Sequence, residues 1–124
     1  MKICFPSMGY RSLDERTAME CGRSQFYSIV DSDGTLITSI PGDLIFTLGL
    51  KTLARWLSRR GVEALVTRDI DEGAVTIFEE AGICVSRVDR ETLRESLAAF
   101  TSGRFEDMGH MPHRRHEIEI SIET

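Results

Sequence analysis

The feature that most constrains this fold is an alternation of strand-like and helix-like segments in which a glycine follows each helix-like segment. Glycine is favoured just past a helix C-terminus because it adopts a left-handed conformation without steric penalty. The three glycines are Gly61, Gly82 and Gly103. Between them, residues 62–67 and 83–85 form near-continuous apolar runs, typical of strands covered on both faces. Since strand–helix–strand units are parallel and right-handed, this part of the chain predicts a parallel sheet packed against helices.

Three helices are predicted from apolar residues spaced three and four apart. Their inner faces are Phe46, Leu50, Leu53, Ala54 and Leu57 in the first, Ala74, Ile77, Phe78 and Ala81 in the second, and Leu93, Leu97 and Phe100 in the third. An aspartate before a helix accepts hydrogen bonds from its first N–H groups. We therefore expect Asp69 or Asp71 to cap the second helix and Asp89 the third.

The N-terminal part predicts a strand, a long loop and a hairpin. Residues 2–5 suit a short buried strand that stops at Pro6, and residues 7–24 read as a loop with at most a helical turn. Residues 25–31 and 35–40 are rich in β-formers and flank Asp33-Gly34, a strong signal for a tight hairpin turn. With the parallel units that follow, this predicts a mixed α/β sheet with helices on its faces.

The C-terminal segment has a different pattern. Residues 104–116 look irregular, whereas residues 117–123 alternate strictly between apolar and polar. The apolar positions are Ile118, Ile120 and Ile122. This alternation predicts a half-buried additional strand that pairs with a sheet edge, either of its own domain or of a second copy in a homo-oligomer.

Composition narrows the class of protein. The chain has 124 residues, 41% of them apolar, which suits one domain with one core. A net charge of −5 with scattered basic residues argues against nucleic acid or an anionic membrane as partner. No apolar run approaches the ~20 residues that span a bilayer, and the N-terminus lacks a signal-peptide pattern. Three well-separated cysteines predict a reducing cytoplasm, with Cys4 and Cys84 buried in core strands.

A ligand site is expected beyond the carboxyl ends of the strands, where successive connections diverge. If the first strand neighbours residues 62–67, this crevice is lined by the loop at residues 7–24 and by residues 67–73. A helix N-terminus attracts anions there, and Arg23 and Arg68 add positive charge. The alternative is that both arginines are solvated residues on ordinary turns.

Several segments carry a resemblance to a known family. They read MKICFP at residues 1–6 and ECGRSQFYSIVD at residues 20–31, with further agreement at residues 57–62, 73–74, 80–83 and 92–95. Over residues 1–105 the chain resembles the dinitrogenase iron–molybdenum cofactor biosynthesis family. The resemblance implies a three-layer ribonuclease H-like domain with a mixed five-stranded sheet and helices on both faces. Residues 106–124 would then be a His-containing extension with a strand.

The same resemblance implies a non-enzymatic role in metallocluster assembly, in the context of nitrogen fixation. The protein would bind or carry an iron–sulfur or iron–molybdenum cluster or its precursor. The residues expected to hold it are Cys21, Gly22, Arg23, Arg68 and Gly73. The chain departs from the family pattern, with Glu20 in place of His, Cys21 in place of Phe and Arg68 in place of a common Gly. A histidine role at position 20 therefore does not transfer.

Soft donors are the candidate metal ligands. Cys21 offers sulfur, although a lone cysteine is more often a small apolar residue. His110, His113 and His116 resemble a thinned form of the His-rich tail of the family, and together with Cys21 they are the expected metal ligands; the alternative is a polar connector.

Two other functions remain open. One is a protein–protein or regulatory module without a metal ligand, which uses the C-terminal strand. The other is a metal-dependent phosphoester hydrolase, which is disfavoured because Asp31 is the main acid well placed for it and no catalytic motif is present.

Overall fold

The computed structural model describes residues 1–109 and shows a mixed α/β fold. The strands are β1 (Lys2–Ser7), β2 (Phe26–Asp31), β3 (Leu36–Pro41), β4 (Val62–Thr67), β5 (Cys84–Arg87) and β6 (Glu106–Asp107). The helices are α1 (Gly42–Leu48), α2 (Leu50–Arg59), α3 (Glu72–Glu80) and α4 (Leu93–Thr101), and a 3-10 turn spans Cys21–Arg23. The predicted α/β class is confirmed, with six strands in the sheet instead of five.

The sheet has the order β3-β2-β1-β4-β5-β6. β2 is antiparallel to both β1 and β3, whereas β1, β4 and β5 are parallel to one another. The short β6 pairs antiparallel with β5. The predicted adjacency of β1 and β4 is therefore confirmed. β1, β3, β4 and β5 all end at the same edge of the sheet.

Two apolar clusters cover the two faces of the sheet, which gives three layers. On one face, α2 and α3 supply buried Leu53, Leu57 and Phe78. On the other face, α4 and the loop after β1 supply Leu93 and Leu13. The inner strands are buried on both sides because each face has its own cover.

The first predicted helix is two helices. Gly49 has a φ of +90°, a conformation that ends α1 before α2 begins. The break turns the two segments in different directions, so one apolar stripe does not continue through both. Phe46 was predicted on the inner face, but it is 89% exposed.

Two further local predictions were wrong. The fourth helix is capped by Thr92, which accepts from the N–H of Glu95 at 3.1 Å while its hydroxyl donates to the Glu95 carboxylate. Asp89 pairs with Arg68 instead. Pro6 lies within β1 and does not end it: the parallel pairing with β4 stops at Cys4, so the missing N–H breaks no bond of that ladder. For α3, Asp71 is the cap.

The burial of the cysteines differs from the prediction at one position. Cys4 is fully buried in β1, as expected, but Cys84 is exposed. β5 has four residues and only its central pair, Val85 and Ser86, is buried, so the first position of the strand faces solvent.

The C-terminal predictions lie outside the described residues. They concern His110, His113, His116 and the alternating segment at residues 117–123. Within residues 104–109, expected to be irregular, β6 extends the sheet by one short strand. None of the helices in residues 1–109 combines the length and hydropathy of a membrane-spanning segment.

Candidate functional site

A pocket of about 460 Å³ lies at the sheet edge where β1 and β4 end. One wall is the 3-10 turn and the other is the loop that leads into α3. The lining residues are Glu20, Cys21, Gly22, Arg23, Asp69, Ile70, Asp71 and Ala74. From β1 the chain continues to β2 on one side, and from β4 it continues through α3 to β5 on the other. Ligands of open α/β sheets bind at such a divergence point.

Cys21 fixes the relative position of the two walls. Its backbone N–H donates to the carbonyl of Asp69 at 3.0 Å. Its own carbonyl accepts from the hydroxyl of Tyr27 at 2.5 Å. Cys21 and Tyr27 are both buried, at 0% and 1% exposure. The 3-10 turn is thus tied to β2 beneath it and to the β4–α3 loop beside it.

The thiol of Cys21 is buried, and its pKa is raised. Burial, and then the nearby Asp71 carboxylate, raise its pKa from 9.0 to about 12. Burial and the neighbouring Cys21 likewise raise the pKa of Cys4 well above its ordinary value. Because the thiolate is the form that ligates metals, this environment disfavours ligation by Cys21 at neutral pH without a local opening.

The pocket walls carry more negative than positive charge. Three carboxylates, of Glu20, Asp69 and Asp71, face one guanidinium, that of Arg23. Arg23 lies 3.7 Å from Glu20 in an exposed pair. One oxygen of Asp69 accepts from the N–H of Ile70, and one oxygen of Asp71 accepts from the N–H of Ala74. The carboxylates favour cationic groups of a ligand, and Arg23 favours anionic ones.

The structure brings together three of the predicted site residues. Cys21, Gly22 and Arg23 lie at the pocket, and a side chain at Gly22 would meet open space. Arg68 turns away from it, since its guanidinium contacts the carboxylate of Asp89 at 2.9 Å. Gly73 is an exposed residue in the first turn of α3, outside the pocket lining.

Sequence reasoning missed the acidic part of the lining. Asp69 and Asp71 were read as helix caps, which explains Asp71 but does not account for both residues lining the pocket. The signal in the sequence was that these two aspartates, two residues apart, follow directly after a strand, where a ligand site is expected. Glu20 was noted for departing from the family pattern, not as a lining residue.

Metal donors do not converge in the part of the chain that the structure describes. Within residues 1–109, no group of three or more His, Cys, Asp or Glu side chains is arranged to hold a metal ion. His110, His113 and His116 lie beyond this part, so their role as ligands stays a prediction.

Comparisons with solved structures show a shared fold. The apo form of the orange protein from Desulfovibrio gigas is 22% identical, with a TM-score of 0.73 over 86% of this chain and 91% of that one. A candidate NifB protein from Thermotoga is 24% identical, with a TM-score of 0.69 over 86% and 92%. A candidate dinitrogenase from Methanocaldococcus jannaschii is 14% identical, with a TM-score of 0.60 over 87% and 94%.

The family assignment comes from the sequence itself. No curated protein matches the chain significantly. The sequence model of the family described as dinitrogenase iron-molybdenum cofactor matches residues 1–103. This match covers most of the chain and confirms the resemblance noted from its segments. The protein therefore belongs to the dinitrogenase iron–molybdenum cofactor family.

Proposed function

We propose that this protein binds or carries an iron–sulfur or iron–molybdenum cluster, or its precursor, during metallocluster assembly. The cluster is cargo, and the protein catalyses no reaction on it. The observation that carries the proposal is the pocket at the divergence point of β1 and β4, in a domain of the iron–molybdenum cofactor family. In this proposal residues 1–105 form the binding domain, residues 106–124 form an extension, and the protein acts in the cytoplasm.

The pocket offers three kinds of contact to such a cargo. Gly22 has no side chain, so a ligand can approach the backbone of the 3-10 turn closely. Arg23, with a side chain that is 87% exposed, can swing to bond the sulfide or acid groups of a cluster. Asp69 and Asp71 offer oxygens to an exposed metal atom.

Cys21 and the histidines have separate roles in this proposal. The Cys21 thiol is buried, so Cys21 contributes mainly by holding the turn, and it becomes a sulfur ligand only when a local opening exposes it. His110, His113 and His116 supply the further donors that direct metal coordination requires, since residues 1–109 do not bring three together.

Anaerobic reconstitution with iron and sulfide, followed by metal and sulfide analysis, tests the proposal. We expect stoichiometric iron in the full chain and a lower content in Arg23→Gln. Arg11→Gln is the matched control, because Arg11 is exposed on the same loop but lies outside the pocket lining. A full chain that holds no stoichiometric metal contradicts the proposal.

Two more variants separate the donors. Cys21→Ala distinguishes a supporting role from ligation: loss of metal with an unchanged melting temperature indicates a sulfur ligand. Replacement of all three histidines by alanine tests the extension. If the iron content stays unchanged, the extension contributes no ligand.

A second function, a protein–protein module without a metal ligand, is favoured by a different observation. β3 is a six-residue strand at the sheet edge, and apolar side chains of α1 are exposed beside it.

A further inference from the structure

An apolar groove runs beside the β3 edge, away from the pocket. It has a volume of about 280 Å³ and lies between the end of β3 and the helices α1 and α2. Its walls include Ile40, Leu44, Leu48 and Trp56, and Leu44 and Leu48 are 49% and 50% exposed. Within residues 1–109, β3 pairs with β2 only, so its outer N–H and C=O groups are open to a further strand.

The C-terminal segment of the chain has the complementary chemistry. At residues 117–123, three isoleucines alternate with Glu117, Glu119, Ser121 and Glu123. Beside β3, an extended segment with this period places every isoleucine on one face, over the groove. The three carboxylates then lie on the opposite face of the segment, away from the groove, where no apolar contact is lost.

The length of the connection decides which copy supplies the segment. A strand added outside β3 lies six strand spacings from β6, roughly 29 Å. The eight residue steps from Gly109 to Glu117 span at most about 29 Å when fully extended. At the rise of about 3.3 Å per residue that real strands have, these eight steps cover only roughly 26 Å, so a chain falls short of its own β3 edge even along a straight path.

We propose that two copies of this chain exchange their C-terminal segments, each laying residues 117–123 along β3 of the other. The isoleucines fill the groove between β3, α1 and α2, and the glutamates point to the opposite face of the segment. The exchange is reciprocal, so the same contact forms twice in one closed dimer.

Sedimentation equilibrium on the full chain tests the exchange. We expect a dimer, and we expect Leu48→Glu or Ile120→Glu to weaken association by roughly tenfold or more, because each removes an apolar anchor from the contact. Phe46→Glu is the control for the groove, since Phe46 is 89% exposed on the same helix but does not line it. Ser121→Glu is the control for the segment. Circular dichroism checks each fold, and Leu44→Glu replaces Leu48→Glu if that variant unfolds, since Leu44 also lines the groove and is 49% exposed.

A mixing experiment distinguishes exchange from docking within one chain. A variant with Leu44→Glu and Leu48→Glu keeps its segment, and a variant with Ile118→Glu and Ile120→Glu keeps its groove. Each alone is expected to be monomeric, and an equal mixture is expected to form a heterodimer. Monomeric wild type, or a dimer as insensitive to Leu48→Glu as to Phe46→Glu, overturns the proposal. So does a mixture that stays monomeric.

Discussion

The backbone N–H of Cys21 donates to the carbonyl of Asp69 across 3.0 Å, and this bond joins the loop after β1 to the loop after β4. The two residues lie on opposite walls of the pocket. The width of the pocket is therefore set by a main-chain contact, which does not depend on the side chains that line the walls. Substitutions of exposed lining residues are expected to change binding without changing this spacing.

The hydroxyl of Tyr27 is expected to stabilise the fold, because it donates to the carbonyl of Cys21. Tyr27→Phe leaves the Cys21 carbonyl, buried with its residue, without that donor. We expect a loss of roughly 1–2 kcal/mol in the free energy of unfolding, measured by urea denaturation. Tyr10→Phe, at a ring that is 48% exposed, is the control and should be near neutral. Equal effects of the two variants would contradict this account.

Gly42 is expected to tolerate no side chain. A Cβ there would lie 1.8 Å from the carbonyl oxygen of Ser24, and the Gly42 N–H donates to the carbonyl of Gln25 at 2.7 Å. Gly42→Ala must push α1 away from the segment before β2, so we expect a loss of at least about 2 kcal/mol. Gly22→Ala, which meets open space, should stay within about 0.5 kcal/mol. Chemical denaturation of both variants compares them directly.

Stability is expected to fall as pH rises above 9. The pKa of Cys21 is about 12 in the folded protein and 9.0 ordinarily, and that of Cys4 is also raised, both mainly by burial. Between these values the unfolded chain has lost protons that the folded chain keeps. The free energy of unfolding therefore drops by about 1.4 kcal/mol per pH unit for each such thiol.

Melting temperature against pH measures this effect. Cys21→Ala should flatten the alkaline limb between pH 9 and about 12, whatever its effect at neutral pH. An alkaline slope that is identical in Cys21→Ala and the unsubstituted protein would show that the Cys21 thiol does not control it.

Substitutions of Arg68 and Arg23 are expected to affect different properties: stability for Arg68 and iron content for Arg23. The Arg68–Asp89 pair is partly exposed, so Arg68→Gln should cost at most about 1 kcal/mol and leave iron content unchanged. Arg23→Gln should lower iron content after reconstitution and leave the melting temperature unchanged. Iron lost in Arg68→Gln, but kept in Arg23→Gln, would place the cargo elsewhere.

Local signals predicted the hairpin and most strands. At the turn, Gly34 has a φ of +96° and the Asp33 carboxylate accepts from the N–H of Thr35, a bond that lowers the pKa of Asp33. Both properties belong to those two residue types and need no tertiary contact. The parallel order of β1, β4 and β5 followed from the handedness of strand–helix–strand units in the same way.

Properties that depend on distant partners were not predictable from the sequence. The sequence predicts that Asp89 caps a helix. In the structure the Asp89 carboxylate pairs with Arg68, and Thr92 caps α4 instead. Gly49 lies inside an apparent apolar period, and only its positive φ reveals the break. The predicted crevice exists, yet its lining charge depends on which way Asp69, Asp71 and Arg68 turn after the strand.

The two borders of the sheet are unequal, since β3 has six residues and β6 has two. Within residues 1–109, the β6 border therefore offers another strand far fewer main-chain groups than the β3 border does. If the proposed exchange covers β3 in both molecules, no long border stays open, and we expect closed pairs without growth into fibres.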